Sequence, residues 1–264
     1  MLNKKIAIIG CGNLGQSILR GLIESKSYLP SSIFATKRNV DVLSKYKDQG
    51  VKVGHDNLKA VVESRYIILS LKPHNVLNEL KLIAPYLTAD HVIISLSTGI
   101  TISSITSIVG GDFDVFRAMP NTATDVRESL TCVCTTSVNE ALKKDVNSIF
   151  GSLGETIEIN EDLMDSATVL GACGIAFVLR FIRAMMQGGI QIGFDAETAA
   201  KIVTQTVRGA TELLITRKEH PEFEIDKVTT PRGCTIAGLN EMEHNGFSSA
   251  LIKGITTSYD DIKK

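Results

Sequence analysis

Residues 1–160 alternate between short apolar runs and stretches in which apolar residues recur at helical spacing. Lys5–Ile9 is the first run, and Leu14, Ile18, Leu19, Leu22 and Ile23 follow on one helical stripe. Ile33–Thr36, Val51–Val53, Tyr66–Leu71, His91–Ser95 and Asp114–Ala118 continue the series as strands. Helical stretches fall between them, near Val40–Asp48, Leu58–Glu63, Val76–Leu87 and Ile102–Val109. Leu130–Cys134, a helix around Ala141–Leu153 and Glu155–Ile159 complete the pattern. Runs that are apolar throughout belong to strands buried on both faces, and short connections between them require right-handed crossovers. The pattern predicts an α/β fold whose first part, residues 1–160, is a Rossmann-type doubly wound, mainly parallel sheet.

Residues 161–264 change character. Strand signal stops, and the longest apolar stretch runs from Asp165 to Ile192. Further helices are expected at Ala196–Arg217, Thr235–Asn245 and Phe247–Ile262, with His220-Pro221 in a loop. Arg180 and Arg183 interrupt the long stretch, so it is not expected to span a membrane. Gly171, Ala172, Gly174 and Ala176 are small enough to let another helix approach closely. An all-helical domain this apolar is expected to bury part of its surface against another subunit.

Composition narrows the function classes. A net charge of −1 over 264 residues gives no electrostatic reason to expect nucleic acid or an anionic membrane as partner. The five cysteines (Cys11, Cys132, Cys134, Cys173, Cys234) are odd in number and contain no CxxC, which argues against a disulfide framework or a zinc site. On a strand, Cys132 and Cys134 simply share one face, so no metal is expected. No basic segment of signal-peptide type precedes the first apolar run, and a cytoplasmic setting is the expectation.

The chemistry begins where the first run breaks into Ile9-Gly10-Cys11-Gly12-Asn13-Leu14-Gly15. Gly10 permits the strand-to-helix turn, Gly12 lets backbone approach a pyrophosphate, and Gly15 lets helix pack on strand. The first free N–H groups of the helix then face the anion, helped by the helix dipole. Glycines of this spacing also serve as plain tight turns, but strand, turn and helix in this order point to a dinucleotide site. An NAD-preferring site carries Asp or Glu at the end of the second strand. Here that position reads Thr36-Lys37-Arg38, a hydroxyl and two cations suited to a 2′-phosphate, so NADP(H) is the expected cofactor. A solvated turn with incidental charges is the alternative for these three residues.

No Ser/His/Asp order, HExxH or paired-carboxylate constellation stands out. His55, His74, His91 and His244 read as surface or capping residues rather than catalysts. A reductase tolerates this poverty, because its cofactor carries the hard chemistry.

Three further stretches, together with the glycine turn, resemble the pyrroline-5-carboxylate reductase family. They are Ile67–Leu71 followed by Lys72-Pro73, then Arg117-Ala118-Met119-Pro120-Asn121-Thr122, and Val228–Leu239 with Thr230-Pro231-Arg232-Gly233-Cys234-Thr235 at its centre. Met242-Glu243 and Gly246-Phe247 follow in register, so the resemblance spans nearly the whole chain. It implies NADPH-dependent reduction of the C=N bond of 1-pyrroline-5-carboxylate to L-proline, and a helical domain that intertwines in a homodimer, often within larger rings. It also implies that Asn57, Ser70, Leu71, Lys72 and Pro73 line the cofactor and that Pro120 and Asn121 lie near the nicotinamide. Thr230, Gly233, Cys234 and Thr235 become the substrate loop, with Thr235 the catalytic residue. The residues themselves agree: a Pro-x-Gly turn opening a helix at Thr235 offers free N–H groups to a carboxylate and a hydroxyl to a ring nitrogen. An ordinary N-capped helix is the alternative there.

The chain departs from the family pattern in places. The family reads Ser-Pro-Gly-Gly-Thr-Thr in the substrate loop, against Thr230, Arg232 and Cys234 here. It reads Ser-Gly-Ser-Gly-Pro-Ala where this chain has Gly171–Ala176. These departures leave two other readings open: an NADP(H)-binding redox-sensing or scaffold paralogue, and a reductase of a related imine or oxo acid.

Overall fold

The computed structural model describes residues 5–110 and 113–263. The chain forms two compact units, one running to Cys173 and taking back the residues from Asp261, the other Gly174–Asp260. Each is described by itself.

In the first unit the strands are β1 (Ile6–Ile9), β2 (Ile33–Thr36), β3 (Lys52–Gly54), β4 (Tyr66–Leu69), β5 (Val92–Ser95), β6 (Asp114–Met119), β7 (Ser129–Thr135) and β8 (Gly154–Glu158). They form one eight-stranded sheet in the order β3-β2-β1-β4-β5-β6-β7-β8. All neighbours are parallel except β6 and β7, which run antiparallel with Met119 opposite Cys132. The predicted doubly wound fold is therefore present. Strand order reverses at β1, between β2 and β4, and the crevice beyond the carboxyl ends of such strands is where open α/β sheets bind ligands.

Helices α1 (Asn13–Glu24), α2 (Ser44–Lys47), α3 (Asn57–Val62), α4 (Pro73–Ile83), α5 (Ile102–Val109) and α6 (Glu140–Gly151) link these strands. Alternation along β1 feeds two cores. Ile6 and Ile8 pack with Ile18, Leu19 and Leu22 of α1 and with Val146, Ile149 and Phe150 of α6. Ala7 and Ile9 face the other side, with Val61, Val76, Leu80, Ile83 and Ile105. Every one of these side chains is fully buried, and each except the small Ala7 contributes about 1.5–3 kcal/mol of transfer free energy. Leu19→Ala would cost about 2–5 kcal/mol, because the sheet cannot collapse into the void.

The long stretch after β8 is not one regular helix. It comprises α7 (Met164–Ala167), a π-helical turn over Thr168–Cys173, and α8 (Gly174–Gln191). The Thr168 hydroxyl donates to the Met164 carbonyl at 2.9 Å inside this segment. Glu161–Gln191 is, by length and composition alone, long and apolar enough to cross a membrane even with Arg180 and Arg183 inside it.

In the second unit α8 packs on α9 (Ala196–Arg217), and a Cβ at Gly189 would meet the Ala199 Cβ at 3.2 Å, so glycine there sets the close crossing. Asp195 caps α9 by accepting from the Thr198 N–H at 2.9 Å. His220-Pro221, expected as a loop, instead opens α10 (Pro221–Lys227). Pro221 supplies the first helical φ, and the His220 Nδ1 accepts from the Glu222 N–H at 3.3 Å. Helices α11 (Cys234–His244) and α12 (Phe247–Ile262) complete the unit. Leu179, Ile190, Ile192 and Ile252 are exposed on the isolated chain.

His91 takes the capping role expected of it, though from inside the unit and not at its surface. It is buried, accepts at Nδ1 from the Thr88 N–H at 2.8 Å, and places Nε2 3.2 Å from the Val61 carbonyl. One ring nitrogen thus holds the Thr88–His91 turn and the other ties it to α3, which explains its burial without catalysis.

Candidate functional site

A groove of about 590 Å³ lies at the carboxyl edge of the sheet, over the β1–β4 reversal. It collects Gly10, Gly12, Thr36, Lys37, Arg38, Asn57, Ser70, Leu71 and Lys72 of the residues expected to bind a cofactor. Gly10 has φ +82°, and a Cβ there would collide with the Leu71 side chain, so turn and strand end fit only around glycine. A Cβ at Gly15 would meet the Ser70 Oγ at 3.2 Å, which is the close packing expected of the third glycine. Gly12 is different: a Cβ there meets no protein atom nearer than 3.9 Å. The space left by its missing side chain belongs to the groove and suits a pyrophosphate.

The donors of the turn are divided. The Gly10 N–H donates to the Thr36 Oγ1 at 3.3 Å, Cys11 N–H to the Thr36 carbonyl at 2.7 Å, and Gly12 N–H to the Gly10 carbonyl at 2.7 Å. Gly12 is the N-cap of α1 and brings no capping side chain, so the N–H groups of Asn13, Leu14 and Gly15 are the first-turn donors left for an anion. Cys11 and Ile9 turn their side chains into the core and contribute backbone only. Burial pushes the Cys11 thiol up to about 12, with the Lys37 cation pulling weakly back. It therefore stays protonated and puts no negative charge beneath the groove.

Two expected contacts change role. Thr36 is 1% exposed, and its hydroxyl, besides accepting from Gly10, donates to the Ile8 carbonyl at 3.5 Å. It braces the turn, leaving Lys37 and Arg38 as the groups able to meet a 2′-phosphate. Asn121 is 8% exposed; it accepts from the Ala123 N–H at 2.9 Å and donates from Nδ2 to the Gly171 carbonyl at 3.1 Å. Its carboxamide caps a short helix and holds the π-helical turn rather than standing free for a nicotinamide. Pro120, beside it, is buried, and Pro73 opens α4 just after Lys72.

The groove also includes Asn39, His55, Asn75, Asn78, Glu79 and Leu82, which sequence reasoning did not select. Helix spacing was the available signal for the last four: Asn75, Asn78, Glu79 and Leu82 recur at three- and four-residue steps along α4.

In the second unit the loop Thr230–Thr235 is a tight turn. The Gly233 N–H donates to the Thr230 carbonyl at 2.9 Å, and Arg232 has φ +61°. Proline second and a left-handed residue third is the pattern of a type II turn. A Cβ at Gly233 would lie 2.6 Å from the Thr230 Oγ1 and 3.0 Å from the Thr230 carbonyl, so a larger residue there would have to shift the turn. Gly233 is the N-cap of α11 and carries no side-chain cap, which leaves the N–H groups of Cys234 and Thr235 open to an anion. Cys234 is exposed, Thr235 half-buried, and Arg232 exposed. Among the described residues no group of three or more His, Cys, Asp or Glu is placed to hold a metal ion.

Comparison with known proteins assigns both halves of the chain. Residues 161–264 match the family model described as pyrroline-5-carboxylate reductase dimerisation, and residues 5–99 match NADP oxidoreductase coenzyme F420-dependent. Pyrroline-5-carboxylate reductase 2 of Dictyostelium discoideum is 44% identical over 99% of this chain and 93% of its own. Pyrroline-5-carboxylate reductase 1 of the same organism is 45% identical over 97% of this chain, which spans only 48% of that longer relative. A crystal structure of Plasmodium falciparum pyrroline carboxylate reductase with NADP bound superposes with a TM-score of 0.90 at 27% identity, covering 100% of this chain and 98% of that one. The uncapped turns, the close-packed glycines at Gly10 and Gly15 and the match over 99% of this chain and 93% of the Dictyostelium relative lead to one assignment: the chain belongs to the pyrroline-5-carboxylate reductase family.

Proposed function

We propose that this chain reduces the C=N bond of 1-pyrroline-5-carboxylate to L-proline with NADPH, working as a homodimer in the cytoplasm. The observation that carries the reading is the turn Thr230–Gly233, which opens α11 with uncapped N–H groups beside the Thr235 hydroxyl. A compact anion bearing a ring nitrogen fits that chemistry. The dinucleotide fits the groove through the first-turn donors of α1, the open space at Gly12, and Lys37 with Arg38 for the 2′-phosphate.

NADPH, when bound, supplies the hydride. The chain has the simpler task of positioning. Backbone N–H groups of Cys234 and Thr235 hold the substrate carboxylate, and the Thr235 hydroxyl accepts from the protonated ring N–H. An iminium is already electrophilic, so orientation with one hydrogen bond at nitrogen suffices, without a strong acid or base. The poverty of candidate catalytic histidines and carboxylates agrees with this. Self-association is supported by the dimerisation match over residues 161–264 and by the apolar side chains exposed on α8 and α12, among them Leu179 and Ile252. Five cysteines free of disulfides support a reducing compartment.

The test is NADPH oxidation by the purified protein with pyrroline-5-carboxylate, followed by proline quantification. One proline formed per NADPH consumed is the expected result. Tight NADPH binding without turnover would reject the activity.

A further inference from the structure

Asn57 and Glu79 meet inside the groove. Asn57 is the first residue of α3, Glu79 lies on α4, and the Asn57 Nδ2 donates to the Glu79 Oε1 at 2.8 Å. A carboxylate only accepts, so this bond fixes which end of the carboxamide faces which way. The amide nitrogen is drawn to Glu79, and Asn57 Oδ1 is left as an acceptor.

The position of this pair in the groove identifies what it reads. The α1 turn takes the pyrophosphate, and Lys37 and Arg38 take the 2′-phosphate. Beyond Asn39, Ser70, Leu71 and Lys72, which follow the ends of β2 and β4, the remaining wall is His55, Asn57, Asn75, Asn78, Glu79 and Leu82. That wall lies past the phosphorylated ribose, where the base of the dinucleotide must go. A carboxamide with a fixed acceptor matches adenine, which presents an exocyclic amine, and a second amide hydrogen remains to donate to a ring nitrogen. A base with a keto oxygen in place of the amine would set acceptor against acceptor.

We infer that Glu79 is a positioning residue that locks the Asn57 carboxamide in the orientation that selects adenine in the cofactor. This rests on the cofactor reading above, yet it concerns binding and not turnover. Without Glu79 the amide is free to turn, and it then suits a keto base as well as an amino base.

The test titrates the protein with NADPH and with nicotinamide hypoxanthine dinucleotide phosphate, in which the amine is replaced by a keto oxygen, following Kd by calorimetry. Wild type should favour NADPH by about tenfold, the scale of one hydrogen bond lost against an oriented acceptor. Glu79→Ala should weaken NADPH severalfold and bring the two ligands close to equal affinity. Glu79→Gln, isosteric but able to donate as well as accept, can pair with either orientation of Asn57 and should lose most of the preference while still binding NADPH. A merely structural role would lower affinity for both ligands equally and leave their ratio unchanged. Equal wild-type affinity for the two, or an unaltered ratio in Glu79→Ala, overturns the inference. Failure to bind NADPH at all would instead reject the cofactor reading itself, and a poorly folding alanine variant leaves the wild-type ratio and the glutamine variant to decide.

Discussion

Arg117 and Glu161 form an ion pair in the first unit, Nη1 to Oε1 at 3.0 Å, with the arginine side chain only 4% exposed. The same carboxylate oxygen accepts from the Ile102 N–H at 2.7 Å. One side chain thus ties β6, the first turn of α5 and the start of the segment after β8. Glu161→Ala would leave the buried guanidinium without its carboxylate, and because Glu161 itself is 33% exposed the loss is about 1–3 kcal/mol, less than for a fully buried pair. Urea unfolding should show that loss while NADPH affinity stays unchanged, since the pair is no part of the groove. A loss below about 1 kcal/mol, the scale of a surface pair, would contradict the buried role.

Lys37 and Arg38 are the cations left to read the cofactor once Thr36 is spent on the turn. Charge-assisted contacts to phosphate contribute about 1.5–3 kcal/mol each. Lys37→Ala/Arg38→Ala should therefore lower kcat/KM for NADPH by roughly a hundredfold or more and leave NADH nearly unaffected. Equal kcat/KM for the two cofactors in wild type would contradict the assignment.

Arg232 occupies a position that favours glycine. Its φ of +61° costs a side chain about 1–2 kcal/mol, and glycine returns part of that as chain entropy in the unfolded state. Arg232→Gly should stabilise the protein by about 0.5–1 kcal/mol. The side chain is exposed, so kcat and KM should stay within about twofold. A tenfold rise in KM would show that the guanidinium reaches the substrate.

Much of this architecture was legible in the sequence because each strand is a short apolar run and each turn glycine has a distinct steric reason. β2, α5, α9 and α12 fall where periodicity places them, and β3 shifts by a residue because Val51 carries its apolar signal just outside the ladder. The π-helical turn at Thr168–Cys173 left no trace, since one extra residue in a turn barely alters an apolar pattern. His220 was missed as a cap because a histidine before proline has no general helix-start signature. Side-chain roles were less legible than backbone roles. Thr36 and Asn121 have the right chemistry for a ligand, but their hydrogen bonds are taken by Gly10, Ile8 and Gly171, partners set by tertiary packing, and by Ala123 in a local helix cap. The pairing of Asn57 with Glu79 joins residues 22 apart on different helices, beyond any local motif.

The central claim is that the start of α11 holds the substrate and that the Thr235 hydroxyl serves its ring nitrogen. Steady-state reduction of pyrroline-5-carboxylate by wild type and Thr235→Ala, with NADPH affinity measured in parallel, tests it most directly. Losing one hydrogen bond that tightens in the transition state costs about 2–4 kcal/mol, mainly in kcat. The account predicts a fall in kcat by a factor of tens to hundreds with NADPH affinity unchanged; undiminished kcat in Thr235→Ala would contradict it.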